Sequence, residues 1–187
     1  MLASVEGIGA ITIGQLAGEV GVSKSGLYAH FGSKRQLQVE IVRAARDIFQ
    51  REVVDPAMAA PPGRRRLEAL TSAYLSYVER RVFPGGCFFA GMLAEFDAAS
   101  GALHEEVVND QREWIELVQS LVQEAQTEGE LRDDIDAGQV TFELTAILGQ
   151  ANFYSVLFPQ SNVIQRAQRA IESLMEDSAS YSSNTPG

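Results

Sequence analysis

The sequence predicts an all-α protein, with a small helix-turn-helix head at the N-terminus and a larger helical bundle after it. Apolar residues recur about every 3.6 positions through most of the 187 residues, which is the spacing of amphipathic helices. Capping residues and glycines mark starts and stops at helix-length intervals. A proline-rich stretch at 56–63 separates the two parts, because a helix interior does not accommodate proline. We therefore expect domains at 1–50 and 51–177, and a disordered serine-rich tail at 178–187.

Composition limits the class of protein. Hydrophobic residues make up 45% of the chain, which is enough to bury a core. No apolar run approaches the roughly 18–20 residues that cross a bilayer, and no secretory signal opens the chain. The single cysteine, Cys87, excludes an intrachain disulfide framework and fits a reducing compartment. We expect a cytoplasmic protein with no membrane partner.

The net charge of −10 is unevenly distributed along the chain. Residues 1–51 hold six Lys/Arg and four Asp/Glu, a balance of +2, whereas residues 52–187 hold nine and twenty-one, a balance of −12. Binding to phosphate requires local positive charge and not a basic whole protein. The charge division is compatible with nucleic-acid binding by the N-terminal part, and equally with an acidic surface that only keeps the protein soluble.

Two short helices, at 12–20 and 23–30, form the central motif. Thr12 and Gln15 have the spacing of a capping box, and Gly21 ends the first helix. The turn that follows, residues 21–23, is so short that the second helix must leave at a sharp angle to the first. This is the helix-turn-helix layout, in which the second helix enters the major groove of DNA. The residues expected to share its small core are Leu16, Val20, Val22, Leu27 and Phe31.

The second helix has the residue types that nucleic acid requires. Its N-terminus and outward face comprise Ser23, Lys24, Ser25, Gly26, Tyr28 and His30, and Lys34 begins the next helix. Free N–H groups and the helix dipole at the N-terminus favour phosphate. Gly26 has no side chain, so the backbone can approach a base edge. The polar tips of Tyr28 and His30 are suited to the sugar-phosphate backbone.

The string VSKSGLYAHFGSK at residues 22–34, within a match over about 12–41, closely resembles the DNA-binding signature of the TetR family. The resemblance implies an all-helical homodimer that binds a double-stranded operator, most often a repressor released by a small-molecule ligand. The positions it implies face DNA are Thr12, Ser23, Lys24, Ser25, Gly26, Tyr28, His30 and Lys34. Of these, Tyr28 and Lys34 would contact phosphates, and Ser25 and Gly26 would lie nearest the bases. The stretch around Pro84–Phe89 and Glu95–Asp97 resembles the C-terminal domain of one TetR subgroup.

One feature departs from the family pattern. Members have a helix of three or four turns before the motif, but only Met1–Glu6 precede Gly7 here. The first helix is therefore expected to be truncated. Either the natural start lies upstream, or the head is weakened. The alternative hypothesis is a helical small-molecule-binding protein whose DNA binding is reduced or lost.

The bundle is expected to bind a ligand and to form the dimer. Aromatic side chains on several helices are candidates to line an apolar cavity, although such residues equally form ordinary core: Tyr74, Tyr77, Phe88, Phe89, Phe96, Trp114 and Phe142. The predicted helix at 136–158 is apolar on more than one face, so it must be covered on all sides. With 162–176 of both chains it would build a four-helix interface. The interface candidates are Thr145, Gly149, Asn152, Phe153, Val156 and Ile171.

An enzyme is the third hypothesis, and the sequence offers little for it. Cys87 and His104 are the residues such a protein would use, but the other histidine, His30, lies in the head, so no histidine cluster exists. No phosphate-binding loop, dinucleotide motif or nucleophile elbow is present. We expect no catalytic residues, no metal and no cofactor.

Overall fold

The computed structural model describes residues 1–96 and 102–179, apart from the side chains of residues 94, 96, 102 and 103. Within these ranges the regular elements are helices, and one isolated antiparallel bridge joins Leu131 to Ala179. The helices are α1 (Leu2–Glu6), α2 (Ile13–Val20), α3 (Lys24–Phe31), α4 (Lys34–Phe49), α5 (Asp55–Met58), α6 (Arg64–Glu79), α7 (Phe88–Phe96), α8 (Ala102–Thr127), α9 (Ala137–Leu157) and α10 (Val163–Asp177). The predicted all-α fold, with a helix-turn-helix head and a helical bundle, is confirmed.

The head follows the local signals in the sequence. The Thr12 hydroxyl accepts a hydrogen bond from the Gln15 amide at 3.2 Å, and the Gln15 side chain accepts one from the Thr12 amide at 3.0 Å. Gly21 ends α2 with a φ of 68°, in the left-handed region that glycine adopts without strain. Ser23 then caps α3 by accepting from the Gly26 amide. Helices α2 and α3 are therefore joined by a turn as tight as the motif requires.

The small core of the head differs from the prediction. Val20 and Val22 are 55% and 48% exposed, because the end of α2 and the turn after it lie on the outside. Their place is taken by Ile8 and Ile11 of the α1–α2 loop, which are 1% exposed. The predicted Leu16, Leu27 and Phe31 are half-buried against this core.

Helix α4 joins the head to the bundle without a break. A single π-helical turn, Gln50–Val54, links α4 to α5, and Pro56 lies in the first turn of α5. The first turn of a helix accommodates proline, because the N–H that proline lacks has no intrahelical partner there. The proline therefore does not act as a linker. Between the start of α4 and the end of α6, the chain leaves helical conformation only at residues 59–63.

The bundle surrounds α6, which contacts α5, α8, α9 and α10 and buries Leu67, Leu70 and Leu75 almost completely. Ser178, the residue that follows α10, accepts a hydrogen bond at its carbonyl from the amide of Arg132 in the α8–α9 loop, at 2.9 Å. The predicted disordered tail is therefore wrong at residues 178 and 179, because this pairing holds them against the α8–α9 loop. Residues 180–187 lie outside the described residues. Across residues 1–96 and 102–179, no helix has both the length and the apolarity to span a membrane.

Candidate functional site

Helix α3 is the most exposed helix of the head. None of its eight residues is buried, and Leu27 and Phe31 alone are partly covered. Its N-terminus carries no acidic residue in the first turn, so the partial positive charge of the helix dipole is not neutralised there. Lys24, Ser25 and Tyr28 lie together around a shallow depression on this face. The 54% exposed Tyr28 ring places its hydroxyl at the surface.

The remaining predicted DNA contacts are placed around α3. Thr12 is exposed and caps α2, and Gly26 donates its amide to Ser23. The His30 ring meets Phe31 edge to face at 4.7 Å. Lys34 is also exposed, but its Nζ donates to the Gly9 carbonyl. This bond joins the start of α4 to the α1–α2 loop, so Lys34 also has a structural contact that the sequence did not indicate.

A cavity of about 560 Å³, partly open to solvent, lies in the bundle between α4, α6, α7, α8 and α9. Aromatic rings form one end of it. Trp114 stacks on Tyr74 with centroids 5.6 Å apart and planes at 27°, and Phe49 meets Trp114 edge to face at 5.5 Å. Phe89 meets Phe49 edge to face at 5.8 Å. We call Phe49, Tyr74, Phe89 and Trp114 the aromatic box.

Charged groups form another part of the cavity wall. Arg46 donates from Nε to Asp110 Oδ1 at 2.6 Å and from its terminal nitrogen to Glu106 Oε2 at 2.7 Å. The other oxygen of Asp110, Oδ2, is buried and has no hydrogen-bond partner among the described residues. Burial raises the pKa of Asp110, and the bond from Arg46 only partly opposes this effect. Burial lowers the pKa of Arg46, but its bonds to Asp110 and Glu106 leave that pKa raised.

The sequence identified part of this cavity. Of the residues predicted to line a ligand pocket, Tyr74, Phe89 and Trp114 lie in the wall of this cavity, whereas Tyr77 and Phe88 are buried beside it without lining it. The prediction for Phe142 is wrong, because this ring lies on the outer face of α9 and is 67% exposed. The side chain of Phe96 lies outside the described residues.

Several lining residues were missed, among them Phe49, Arg46 and Asp110. The signal for Phe49 was its position four residues after the buried Ala45 and before the buried Val53. Cys87 also lines the cavity. Burial raises the pKa of its thiol, which keeps it protonated and slow to react.

The predicted interface residues separate into three groups. Phe153 and Val156 are 54% and 37% exposed on α9. Asn152 and Ile171 are instead buried inside the protomer, and the Asn152 Oδ1 accepts from the Cys87 amide at 2.7 Å. Two further predicted interface residues, Thr145 and Gly149, line the cavity. The inward-facing positions of α9 were assigned to the interface because α9 is apolar on more than one face, so its pattern does not distinguish the faces.

Two family models match the chain. One, described as bacterial regulatory proteins of the tetR family, matches residues 1–41; the other, described as a tetracyclin repressor-like C-terminal domain, matches residues 63–171. The chain belongs to the tetR family. A comparison with curated proteins found no match.

Solved structures share the tetR-family fold over nearly the whole chain. A TetR transcriptional regulator from Chloroflexus aurantiacus J-10-FL superposes with a TM-score of 0.86 at 24% identity, over 95% of this chain and 90% of that chain. A protein from Saccharomonospora viridis in complex with choline gives 0.74 at 20% identity, over 94% and 90%. AibR, in complex with isovaleryl coenzyme A and operator DNA, gives 0.68 at 16% identity, over 95% and 92%.

In this tetR-family chain, the head is tied directly to a helix of the bundle. The Glu95 carboxylate at the end of α7 accepts from the Ile8 amide at 2.9 Å and from the Gly9 amide at 2.5 Å. A Cβ at Gly9 would collide with this carboxylate. At the start of the same segment, Gly85 packs against the Ser4 carbonyl so closely that any side chain would overlap it. The α7 segment and the N-terminal residues of the head therefore form a single contact region.

Proposed function

We propose that this protein is a homodimeric, ligand-responsive repressor that binds operator DNA through α3 and senses a small molecule in the cavity of the bundle. One observation carries the link between the two activities: α4 and α7 line the cavity and also hold the head. Arg46 and Phe49 on α4, and Phe89 on α7, contribute to the cavity wall. The family match over residues 1–41 favours this function over the alternative in which the head no longer binds DNA.

The DNA-binding residues of this proposal are those on and around α3. Lys24 and Tyr28 would contact phosphates, and Ser25 and Gly26 would lie nearest to the base edges. Thr12, Ser23 and His30 lie around them and complete the surface. Lys34 would reach a phosphate on exchanging its bond to Gly9, which an exposed side chain does at little cost.

Two copies are needed because a helix-turn-helix dimer places two recognition helices about 34 Å apart on one face of DNA. Exposed aromatic and aliphatic residues on α9 and at its C-terminal cap are the surface for this pairing: Phe142, Phe153, Tyr154, Val156, Leu157 and Phe158. Isologous pairing of one such patch with itself would bury rings that otherwise face water. A protein that binds operator DNA would act in the cytoplasm, and the proposed function assigns no catalytic residue.

Coupling follows from the mechanical connection between cavity and head. A ligand that favours a different position of α7 would move Glu95, and with it the Ile8 and Gly9 amides. A ligand that shifts α4 at Phe49 would move Lys34 at the other end of the same helix. Ligand lowers DNA affinity only if it binds more tightly to the conformation in which the two heads no longer fit one DNA face.

The test of this function begins with genome-wide capture of DNA fragments bound by the protein. We expect a short inverted repeat whose half-sites are one helical turn apart, and binding to it that weakens as salt rises. Compounds related to the products of the neighbouring genes then provide candidate inducers for the purified complex. Absence of any enriched sequence, with a folded dimer in hand, would contradict the proposal and favour the sensor that does not bind DNA.

Glu95→Gln tests the coupling itself. Glutamine retains one acceptor oxygen but places an NH₂ group against the second amide, so the tie between α7 and the head is weakened. We expect operator affinity without inducer to change less than about threefold, and the inducer-dependent loss of affinity to shrink by about tenfold, which corresponds to about 1.4 kcal/mol of coupling. Glu79→Gln, at the exposed end of α6, is the matched control and should leave the response unchanged. A full response in Glu95→Gln would show that coupling does not pass through this contact.

A further inference from the structure

The cavity contains a buried carboxylate that the protein does not fully satisfy. Asp110 is almost completely buried, its side chain being 6% exposed, and Arg46 occupies only its Oδ1. Oδ2 has no partner among the described residues. Buried polar atoms are normally paired, so this oxygen at the cavity wall is a candidate acceptor for a donor group of a ligand.

The charge around Asp110 is negative even with Arg46 included. This single guanidinium is shared between Asp110 and Glu106, and Glu113 lies at the rim of the cavity one turn of α8 away. These four groups sum to −2. The pKa of Asp110 is raised by burial first, and the charges of Glu113 and Glu106 raise it further, while Arg46 lowers it. An additional positive charge in the cavity would compensate this excess.

The aromatic box adjoins the same carboxylate. Asp110 and Trp114 are four residues apart on α8, so both side chains lie on one face of that helix. Trp114 stacks with Tyr74, and Phe49 closes the corner between them. Aromatic faces attract cations within about 6 Å of the ring centroid, and tryptophan does so most strongly. A carboxylate beside several rings is therefore complementary to an ammonium group that carries apolar substituents.

We propose that the ligand of this cavity is an organic cation: an ammonium group held between Asp110 and the aromatic box, attached to an apolar body. The body would extend from the aromatic box along Leu93 and Leu148, which also line the cavity. A cavity of about 560 Å³ has room for a molecule of drug-like size. An anionic ligand would meet the carboxylates of Asp110 and Glu113 in the cavity wall, and the guanidinium of Arg46 in the same wall is already bonded to Asp110 and Glu106. This inference rests on the proposed function only in treating the cavity as the sensor site.

The protein supplies its own reporter. Trp114 is the one tryptophan of the chain and lines the cavity, so its fluorescence reports occupancy directly. The probes are 4-tert-butylbenzylammonium, 4-tert-butylbenzyl alcohol and 4-tert-butylbenzoate, which share one apolar body and differ in charge. At pH 7 we expect the ammonium probe to bind at least about tenfold more tightly than the alcohol, and the benzoate most weakly. Equal affinity for ammonium and alcohol, or preference for the benzoate, would overturn the proposal.

The variant Asp110→Asn tests whether the Asp110 carboxylate causes the preference for the ammonium probe. It keeps the shape of the side chain and removes its charge, so the preference for ammonium over alcohol should fall to about threefold or less. Glu116→Gln neutralises an exposed acid on the same helix and should keep the full preference. If Asp110→Asn does not fold, Glu113→Gln at the rim replaces it and should reduce the preference by about two- to threefold. A preference unchanged in the folded variant would contradict the assignment of Asp110.

The outcome for the cavity can be separated from the outcome for the proposed function. Operator binding is measured with and without the ammonium probe at saturation. Charge-selective binding with no effect on operator affinity would support the organic-cation site and contradict the ligand-responsive function. Release of operator by the benzoate or alcohol probe, with the ammonium probe inactive, would support the function and contradict the organic-cation site.

Discussion

Helices α3 and α9 both present faces that the protomer leaves uncovered, but the chemistry of the two faces differs. On α3 the uncovered side chains are polar or basic, among them Lys24, Ser25 and His30. On α9 they are large and apolar: Phe142 is 67% exposed, Phe153 54% and Leu157 53%. The first helix contributes almost nothing to the core. The second contributes Leu144 and Leu148, and continues its apolar surface around to the outside.

The difference identifies the kind of partner that each face requires. Water already satisfies the polar face of α3, so a partner must offer charge, and the N-terminus of the helix is suited to phosphate. Water does not satisfy the rings on α9, because each exposed apolar patch costs free energy until it is buried. A second copy of α9 can bury it. Exposure alone therefore says little, while the polarity of the exposed atoms distinguishes nucleic acid from protein as the partner.

The largest expected effect comes from placing a charge on the exposed apolar face of α9. Phe153→Glu introduces a charge at the centre of the α9 patch, where pairing would bury it without a partner. We expect a monomer by sedimentation velocity, and a loss of operator affinity of about 100-fold or more, because two linked heads gain that much from effective concentration.

Gln123→Glu is the control for this experiment, because it adds the same charge at an exposed position of α8. It should remain dimeric and bind operator normally. A Phe153→Glu protein that stays dimeric at micromolar concentration would show that the exposed rings of α9 are not the pairing surface.

What the sequence could predict depends on how local each interaction is. The Thr12–Gln15 box and the Ser23 cap involve residues three apart, so the pattern in the chain was sufficient to place them. Glu95 and Ile8 are 87 residues apart, and Arg46 and Asp110 are 64 apart. Neither pair has a spacing that a sequence pattern records.

Helix α9 shows the second limit. Amphipathic periodicity reveals the inward face of a helix only when the other face is polar. Because α9 is apolar all round, Phe142 and Asn152 were assigned to the wrong sides: the ring lies outside and the amide lies inside. The same pattern predicts that this helix requires cover on all sides, and its exposed rings are where that prediction can be tested. The sequence therefore predicts a partner for this helix without specifying which residues would contact it.

A smaller effect is expected from the polar face. Lys24→Ala removes one cation next to the N-terminus of α3, and we expect operator affinity to fall by about tenfold, with the slope of log affinity against log salt reduced by about one for each protomer. Tyr28→Phe should weaken binding by less, because it removes a neutral hydroxyl contact and no charge. Salt-controlled fluorescence anisotropy on operator DNA measures both.

Arg112→Ala is the matched control, since it removes one positive charge from exposed α8 in the bundle. Its salt slope should equal that of the unmodified protein. If Lys24→Ala and Arg112→Ala reduced affinity equally, the effect would be one of overall charge and α3 would not be the contact surface.

The smallest effects are expected from replacing the residues that cap the N-termini of α3 and α9. The Ser23 hydroxyl accepts from the Gly26 amide at 3.1 Å, and the Asp136 carboxylate accepts from the Gly138 amide at 2.8 Å. Replacing either cap with alanine removes one such bond, which costs about 1 kcal/mol of helix stability. The lost stability should affect the whole protein when the cap of α9 is removed, because α9 is packed into the core. It should affect α3 alone when the cap of α3 is removed, because α3 is not packed into the core.

In Asp136→Ala the loss opposes the packing of the whole bundle, so we expect the melting temperature to fall by about 2–4 °C. In Ser23→Ala we expect faster amide exchange confined to α3, with the melting temperature lowered by less than about 1 °C, because an exposed helix opens locally before the core does. Hydrogen exchange by mass spectrometry and a thermal melt measure both variants. Equal melting shifts would mean that α3 unfolds together with the bundle, and that its exposed surface is held as rigidly as the buried side of α9.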